Sequence, residues 1–212
     1  MPNDPNFYQA PSEASQSPAL FPQDDLMPMT GAGFGIRAAA RVIDTVVGLG
    51  LGLVAGFGVG LVAVGLAASG SLPPGWQHRL GTLSGSSIAL SFLGTVLYHT
   101  VAESMGGATI GKAICGLRVR REDLSPCGFG GALIRSLAYF IDALFCALVA
   151  YMTMSNSRWQ QRLGDKWGKT VVVKVTNLEE RHAVSPGIGG GIALATLLWI
   201  TTLFVGSLIK LF

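Results

Sequence analysis

This sequence predicts an all-α membrane fold, a helical bundle of three to four transmembrane helices with a small cytoplasmic two-strand element. Three observations carry that reading. Half of the 212 residues are hydrophobic and only 13% are charged. Most of the apolar residues fall in four runs, Val42 to Ala68, Leu83 to Val101, Ala132 to Met154 and Ile188 to Phe212, each near the length of about 20 residues that a spanning helix needs. Between the runs, only Gly116 to Arg121 and Thr170 to Val175 have the short, valine-bearing pattern of strands.

From the N-terminus, residues 1–33 are rich in Pro, Ser, Gln and Asn and carry Asp4, Glu13, Asp24 and Asp25. So polar a stretch buries too little apolar surface to offset the entropy of ordering it, and it is expected to be a disordered acidic tail. With no Lys or Arg in the first 36 residues and no apolar core there, it does not read as a signal peptide. The first helix is expected to be its own insertion signal. Residues 34–176 form the membrane domain, and 177–212 a Gly-rich connection with a terminal helix.

Asp44 stands at the start of the first run, with Arg41 three residues and Arg37 seven residues before it. These spacings put all three on one helical face. A carboxylate at mid-bilayer costs about 2.5–3.5 kcal/mol, less near an end, and is usually paired or functional. Gly48, Gly52, Gly56 and Gly60 follow at four-residue intervals, a spacing that lets a partner helix approach closely.

Positive residues near the runs orient them. The first connection holds only Arg79, whereas the second holds Lys112, Arg118, Arg120 and Arg121, placing the N-terminus and the second connection in the cytoplasm. The third connection is also basic, which a single crossing by Ala132 to Met154 would contradict. Two arrangements fit that run. Its 23 residues, without Pro or Gly, suit one crossing; pairing the two strands on one side instead requires a broken hairpin that enters and returns, and this favours the hairpin. In the second strand, Val171, Val173 and Val175 alternate with Val172 and Lys174, the period expected with one covered face.

Arg135 and Asp142 repeat the seven-residue spacing of Arg37 and Asp44, and Arg158, Arg162 and Asp165 repeat that of Arg37, Arg41 and Asp44. Arginines that snorkel and neutralise their aspartates for insertion would explain the first two pairs without any function. Gly106 to Ala113 nearly matches a phosphate-binding loop but lacks the hydroxyl after Lys112 and any α/β domain around it. His99 and Glu103, four apart, form a candidate polar pair. Cys115, Cys127 and Cys146 form no metal-like cluster. No nucleophile stands with a base, so no enzyme, cofactor, metal or nucleic-acid role is expected.

Several of these segments together resemble the RDD family of membrane proteins. They are Arg37 to Asp44, Gly107-Ala108-Thr109-Ile110-Gly111-Lys112 leading to Gly116-Leu117-Arg118-Val119, Arg135, and Arg162-Leu163-Gly164-Asp165-Lys166 leading to Gly168-Lys169-Thr170-Val171-Val172-Val173. The resemblance covers about Phe34 to Val173. It matches the family's arginine to Arg37 and its aspartates to Asp44 and Asp165, and draws Asp165 toward the arginines of the first helix. Arg41 and Asp142 are charges beyond the family's pattern. A transport role is what the resemblance implies, with cation/proton antiport suggested for some members. The expected function is movement of a cation or small solute by a plasma-membrane homo-oligomer, using Arg37, Arg41, Asp44, Arg135, Asp142 and Asp165. The alternative is a non-transporting adaptor packed on another membrane protein. In both, the lipid bilayer is the medium.

Overall fold

In the computed structural model, residues 30–82, 85–144, 148–157, 159–175 and 187–211 are described. The tail before Thr30, with the connection at 176–186, Arg158 and Cys146, lies outside the described residues. In chain order the elements are β1 (Thr30–Gly31), α1 (Phe34–Ala68), α2 (Trp76–Gly81), α3 (Gly85–Gly106), α4 (Ile110–Ile114), β2 (Leu117–Arg121), α5 (Phe129–Leu144), α6 (Leu148–Ser155), α7 (Leu163–Trp167), β3 (Thr170–Lys174) and α8 (Ile188–Leu208), closed by a 3-10 turn, Ile209–Leu211.

Among the described residues three helices, α1, α3 and α8, are long and apolar enough to cross a membrane. The 35 residues of α1 measure about 52 Å at 1.5 Å each, well beyond a hydrocarbon core of about 30 Å. Its first turns, with Arg37 and Arg41, therefore have length to spare beyond the apolar layer. The contacts of three glycines fix the direction of packing: Gly94 faces Thr202 and Trp199, Gly106 faces Ile188, and Gly206 faces Leu90, so α3 and α8 run antiparallel. Gly48 meets Trp199 and Gly58 meets Phe204, so α1 and α8 run parallel. Tyr98, Ala102, Ala195 and Trp199 form the core of this bundle, with the Tyr98 and Trp199 rings stacked at 4.6 Å. At its far end, Val59 and Ala63 are capped by Leu72, Trp76 and Leu80 from α2 and its approach.

The two ends of the run Ala132 to Met154 lie at the same end of the bundle. Helix α5 starts against the sheet, Gly131 lying beside Gly168 and Thr170, and α7 packs back on α5 where Gly164 meets Ala138 and Arg135. Tyr151 of α6 sets the edge of its ring against Phe34 at 5.6 Å, so the chain leaves and returns at one end of the bundle. This hairpin brings both basic connections to the same side, and the charge conflict raised by a single crossing disappears.

The sheet has three strands, in the order β1-β3-β2, all antiparallel. The β2–β3 pair runs from Leu117 opposite Lys174 to Arg121 opposite Thr170. The third strand, Thr30–Gly31, comes from residues assigned in sequence to the tail, and Ala32 after it is buried. One covered face was expected of β3, yet Val171, Val172 and Val173 are all buried. The face holding Leu117, Val119 and Val172 packs on Ala40 of α1 and Ala132 of α5. The face with Arg118, Arg120, Val171 and Val173 is covered as well. Gly107 and Gly116, at φ 68° and 67°, bracket α4, and a side chain at either position would strain the turns that bring β2 under the bundle.

The glycine row of α1 is only partly a seam. A Cβ on Gly48 would collide with the Trp199 ring, but nothing lies within 4 Å of one on Gly52, Gly56 or Gly60. Gly48→Ala is expected to destabilise by about 1–3 kcal/mol through overpacking. Gly56→Ala should be neutral or mildly stabilising, because a helical alanine outdoes glycine by up to about 1 kcal/mol. Thermal unfolding of the two purified variants checks this; equal midpoints would mean that α1 and α8 do not meet at Gly48.

Candidate functional site

Charged side chains from five helices converge where α1, α3, α4, α5 and α7 meet the sheet. Asp165 is fully buried. Its Oδ2 accepts from Arg37 Nη1 at 2.5 Å and from the Arg162 backbone N–H at 3.0 Å, while Oδ1 accepts from Arg135 Nη1. It thereby caps its own short helix and pins α7 to α1 and α5. Arg135, 2% exposed, also donates through Nε to Glu103 at 3.0 Å and through Nη1 to the Thr170 hydroxyl at 2.9 Å. Glu103 in turn pairs with Lys112 of α4. The result is an alternating chain, Lys112, Glu103, Arg135, Asp165, Arg37, that ties every polar element together. Within it each acid touches two cations, the arrangement that offsets the desolvation of buried charge.

Asp44 is buried but outside that chain. Its carboxylate accepts three hydrogen bonds, from the Tyr98 hydroxyl at 3.2 Å, the Thr109 hydroxyl at 2.6 Å and the Gly111 backbone N–H at 2.7 Å. The loop that resembles a phosphate cradle thus does hold an anion with its hydroxyl and amide donors, and that anion is Asp44. Helical spacing paired Asp44 with Arg37 and Arg41, yet no salt bridge joins them among the described residues. Arg37 turns to Asp165 and to the Ala32 carbonyl, 2.9 Å from its Nε. Arg41 donates to His99 Nε2 at 2.5 Å and lies 3.6 Å over the Tyr139 ring. Donors fixed by the fold compete better for Asp44 than two arginines on its own helix.

Arg135 and Asp142 likewise do not pair with each other. The nearest cation to Asp142 is Arg162, at 4.0 Å, and its buried Oδ1 has no hydrogen-bond partner among the described residues. Arg162 also lies 3.9 Å from Asp165. The candidate pair of His99 with Glu103 gives way to His99 with Arg41 and Glu103 with Lys112 and Arg135. Burial works to raise the Asp165 carboxyl, but Arg135, Arg162 and Arg37 hold it well below the usual carboxylate range. Burial, opposed by Glu103, brings the Lys112 ammonium down to about 8.

Sequence reasoning missed Tyr98, Thr109, Gly111, Tyr139 and Thr170 as partners, and placed Glu103 and Lys112 without their role. A signal was present for Glu103, an acid at the end of a spanning run. The hydroxyl and aromatic partners have no comparable mark.

Arg37, Arg41, Lys112, Arg135 and Arg162, with Asp44 and Glu103, line a cavity of about 40 Å³ inside the network. A groove of about 730 Å³ runs along α1, α3 and α8 past Gly52, Ser91 and Thr95 to the same Arg41, Asp44, His99 and Tyr139. Among the described residues no cluster of His, Cys, Asp and Glu could hold a metal.

The family model for the RDD family matches residues 31–169. The chain is 36% identical over 70 residues to a proline-rich antigen homolog of Mycobacterium tuberculosis, a match covering 32% of this chain and 29% of that protein. It is 34% identical over 70 residues to the proline-rich antigen of Mycobacterium leprae, covering 32% and 28%. The matched stretch spans less than a third of the length of these relatives. No solved structure matches the chain.

Proposed function

Because the chain belongs to the RDD family, and because a membrane-depth groove ends at its buried ionic network, we propose that it moves a small ion or solute across the plasma membrane. The observation that carries the reading is the shared wall: Arg41, Asp44, His99 and Tyr139 line both the groove and the inner cavity. A solute entering beside Gly52, Ser91 and Thr95 would meet the charges directly. Intramembrane ionisable groups facing a cavity are the usual mark of such pathways. Three spans and a re-entrant hairpin leave the groove open on one side, so a second copy of the chain closes it in this reading. Lys112, Arg118, Arg120, Arg121, Lys166, Lys169 and Lys174 lie at the sheet end, against Arg79 and Lys210 at the far end. That asymmetry supports a cytoplasmic sheet and N-terminus. The protein performs no catalysis and binds no nucleic acid on this reading.

Proteoliposome flux tests it. Gly52→Leu fills the groove without touching the network, since a Cβ there meets nothing within 4 Å. Flux in wild type should fall to near the empty-liposome background in this variant, with thermal stability preserved. Wild-type flux no greater than that background, over a panel of small ions and solutes, defeats the proposal.

A second reading rests on the open side of α1. Gly56 and Gly60 lie there among exposed Leu53, Phe57, Leu61 and Val64, a face that another membrane protein could cover, as an adaptor requires. A stoichiometric foreign partner on copurification, lost in Gly56→Phe, would favour it over transport.

A further inference from the structure

We infer that the inner cavity is a binding site for a small anion. The charge of its lining points that way. Five cations face it with two acids, and both acids are already engaged: Asp44 by Tyr98, Thr109 and Gly111, and Glu103 by Lys112 and Arg135. Among the described residues Arg41 is partnered by the His99 ring and the face of Tyr139 and by no carboxylate, and the carboxylates nearest Arg162 lie at 3.9 and 4.0 Å. With Asp165, which pairs with Arg37 and Arg135, and Asp142 beside Arg162 counted as well, five cations meet four carboxylates, which leaves one positive charge in excess at a buried point, where an uncompensated ion is costly.

Donors are in excess as well. Arg37 Nη2, Arg135 Nη2 and Arg162 Nε are buried and have no hydrogen-bond partner among the described residues. Arg37 and Arg135 are more than nine-tenths buried. Guanidinium N–H groups around one anion give short, charge-assisted hydrogen bonds.

A cavity of about 40 Å³ is more than one water requires, so it has room for a small anion such as chloride or formate. This deepens the transport reading by naming its cargo or counter-ion as an anion, and it rests on that reading only for the role, not for the binding.

The test uses the full chain in nanodiscs, titrated with sodium chloride, sodium formate or sodium gluconate at constant ionic strength. Chloride and formate should raise the unfolding temperature saturably, and gluconate, too large to enter, should not. Arg162→Gln should weaken the titration midpoint by about tenfold, the worth of one charge-assisted bond, and Lys210→Gln should leave it unchanged. Should Arg162→Gln not fold, Arg41→Gln serves in its place. An equal rise with gluconate, or an unchanged midpoint in the arginine variant, overturns the site. Anion-dependent stabilisation without flux of any solute would confirm the site and defeat the transport proposal. Flux without it would do the reverse.

Discussion

Asp165→Asn is expected to cost about 3–5 kcal/mol, the usual penalty for removing one partner of a buried ion pair. The carboxylate receives Arg37 Nη1 and Arg135 Nη1 together with the Arg162 amide. An asparagine of the same shape keeps one acceptor oxygen and turns an NH₂ group toward a guanidinium. Two arginines, 8% and 2% exposed, are then left with less compensation than burial requires. Domains are stable by about 5–15 kcal/mol, so the loss should appear as a large drop in unfolding temperature and in folded yield from membranes. The pH dependence gives a second readout. Because the folded-state carboxyl is held below its unfolded value, the unfolded chain binds the proton more readily as pH falls. The stabilisation is complete above the unfolded value of about 3.9 and is lost as the pH drops through the folded one. Wild type should therefore destabilise below about pH 4, and Asp165→Asn should lack that part of the acid limb. A variant at Asp165 that keeps both the wild-type midpoint and the acid limb would show the pairs to be energetically idle.

Apolar runs made three spans legible, since a helix in lipid must satisfy its backbone internally and shows this as length and hydropathy. The fourth run was harder to read. Ala132 to Met154 has the composition of one crossing, and only the need of two strands to pair pointed to a break; no Pro or Gly marks it. Period-two alternation in β3 foretold one covered face because it registers Lys174, while three successive valines already carried the signature of a strand buried on both sides. The glycine row marked where a helix could approach α1, not where one does. Charge partners were least legible. Spacing along a helix counts neighbours three or four residues away, but Asp44 takes its donors from Tyr98, Thr109 and Gly111 and Arg37 finds Asp165, 128 positions on. Residue by residue, the resemblance drew Asp165 toward Arg37 where local periodicity could not.

Gly111→Ala should be as damaging as the loss of Asp165, for a steric reason. Its amide donates to Asp44 Oδ1 at 2.7 Å, which demands that α4 lie directly on α1. A Cβ at this position would overlap the Ala40 carbonyl and sit 3.0 Å from the Asp44 carboxyl carbon. The carbonyl belongs to the α1 backbone and cannot rotate away, so α4 has to move. Such a shift lengthens the Gly111 bond and misaligns Thr109, whose hydroxyl caps α4 and donates to Asp44. Overpacking of about 1–3 kcal/mol then combines with about 1–3 kcal/mol for a buried acceptor left short of donors. Asp44→Asn should cost less, because it keeps the shape and one oxygen while α4 stays in place. Gly65→Ala, on an open face of α1, should be neutral. The order of unfolding temperatures, Gly65→Ala above Asp44→Asn above Gly111→Ala, separates close backbone approach from charge as the reason Asp44 holds the two helices together. With Asp44→Asn lowest instead, the carboxylate charge would be the tie, and the α4 loop would merely follow it.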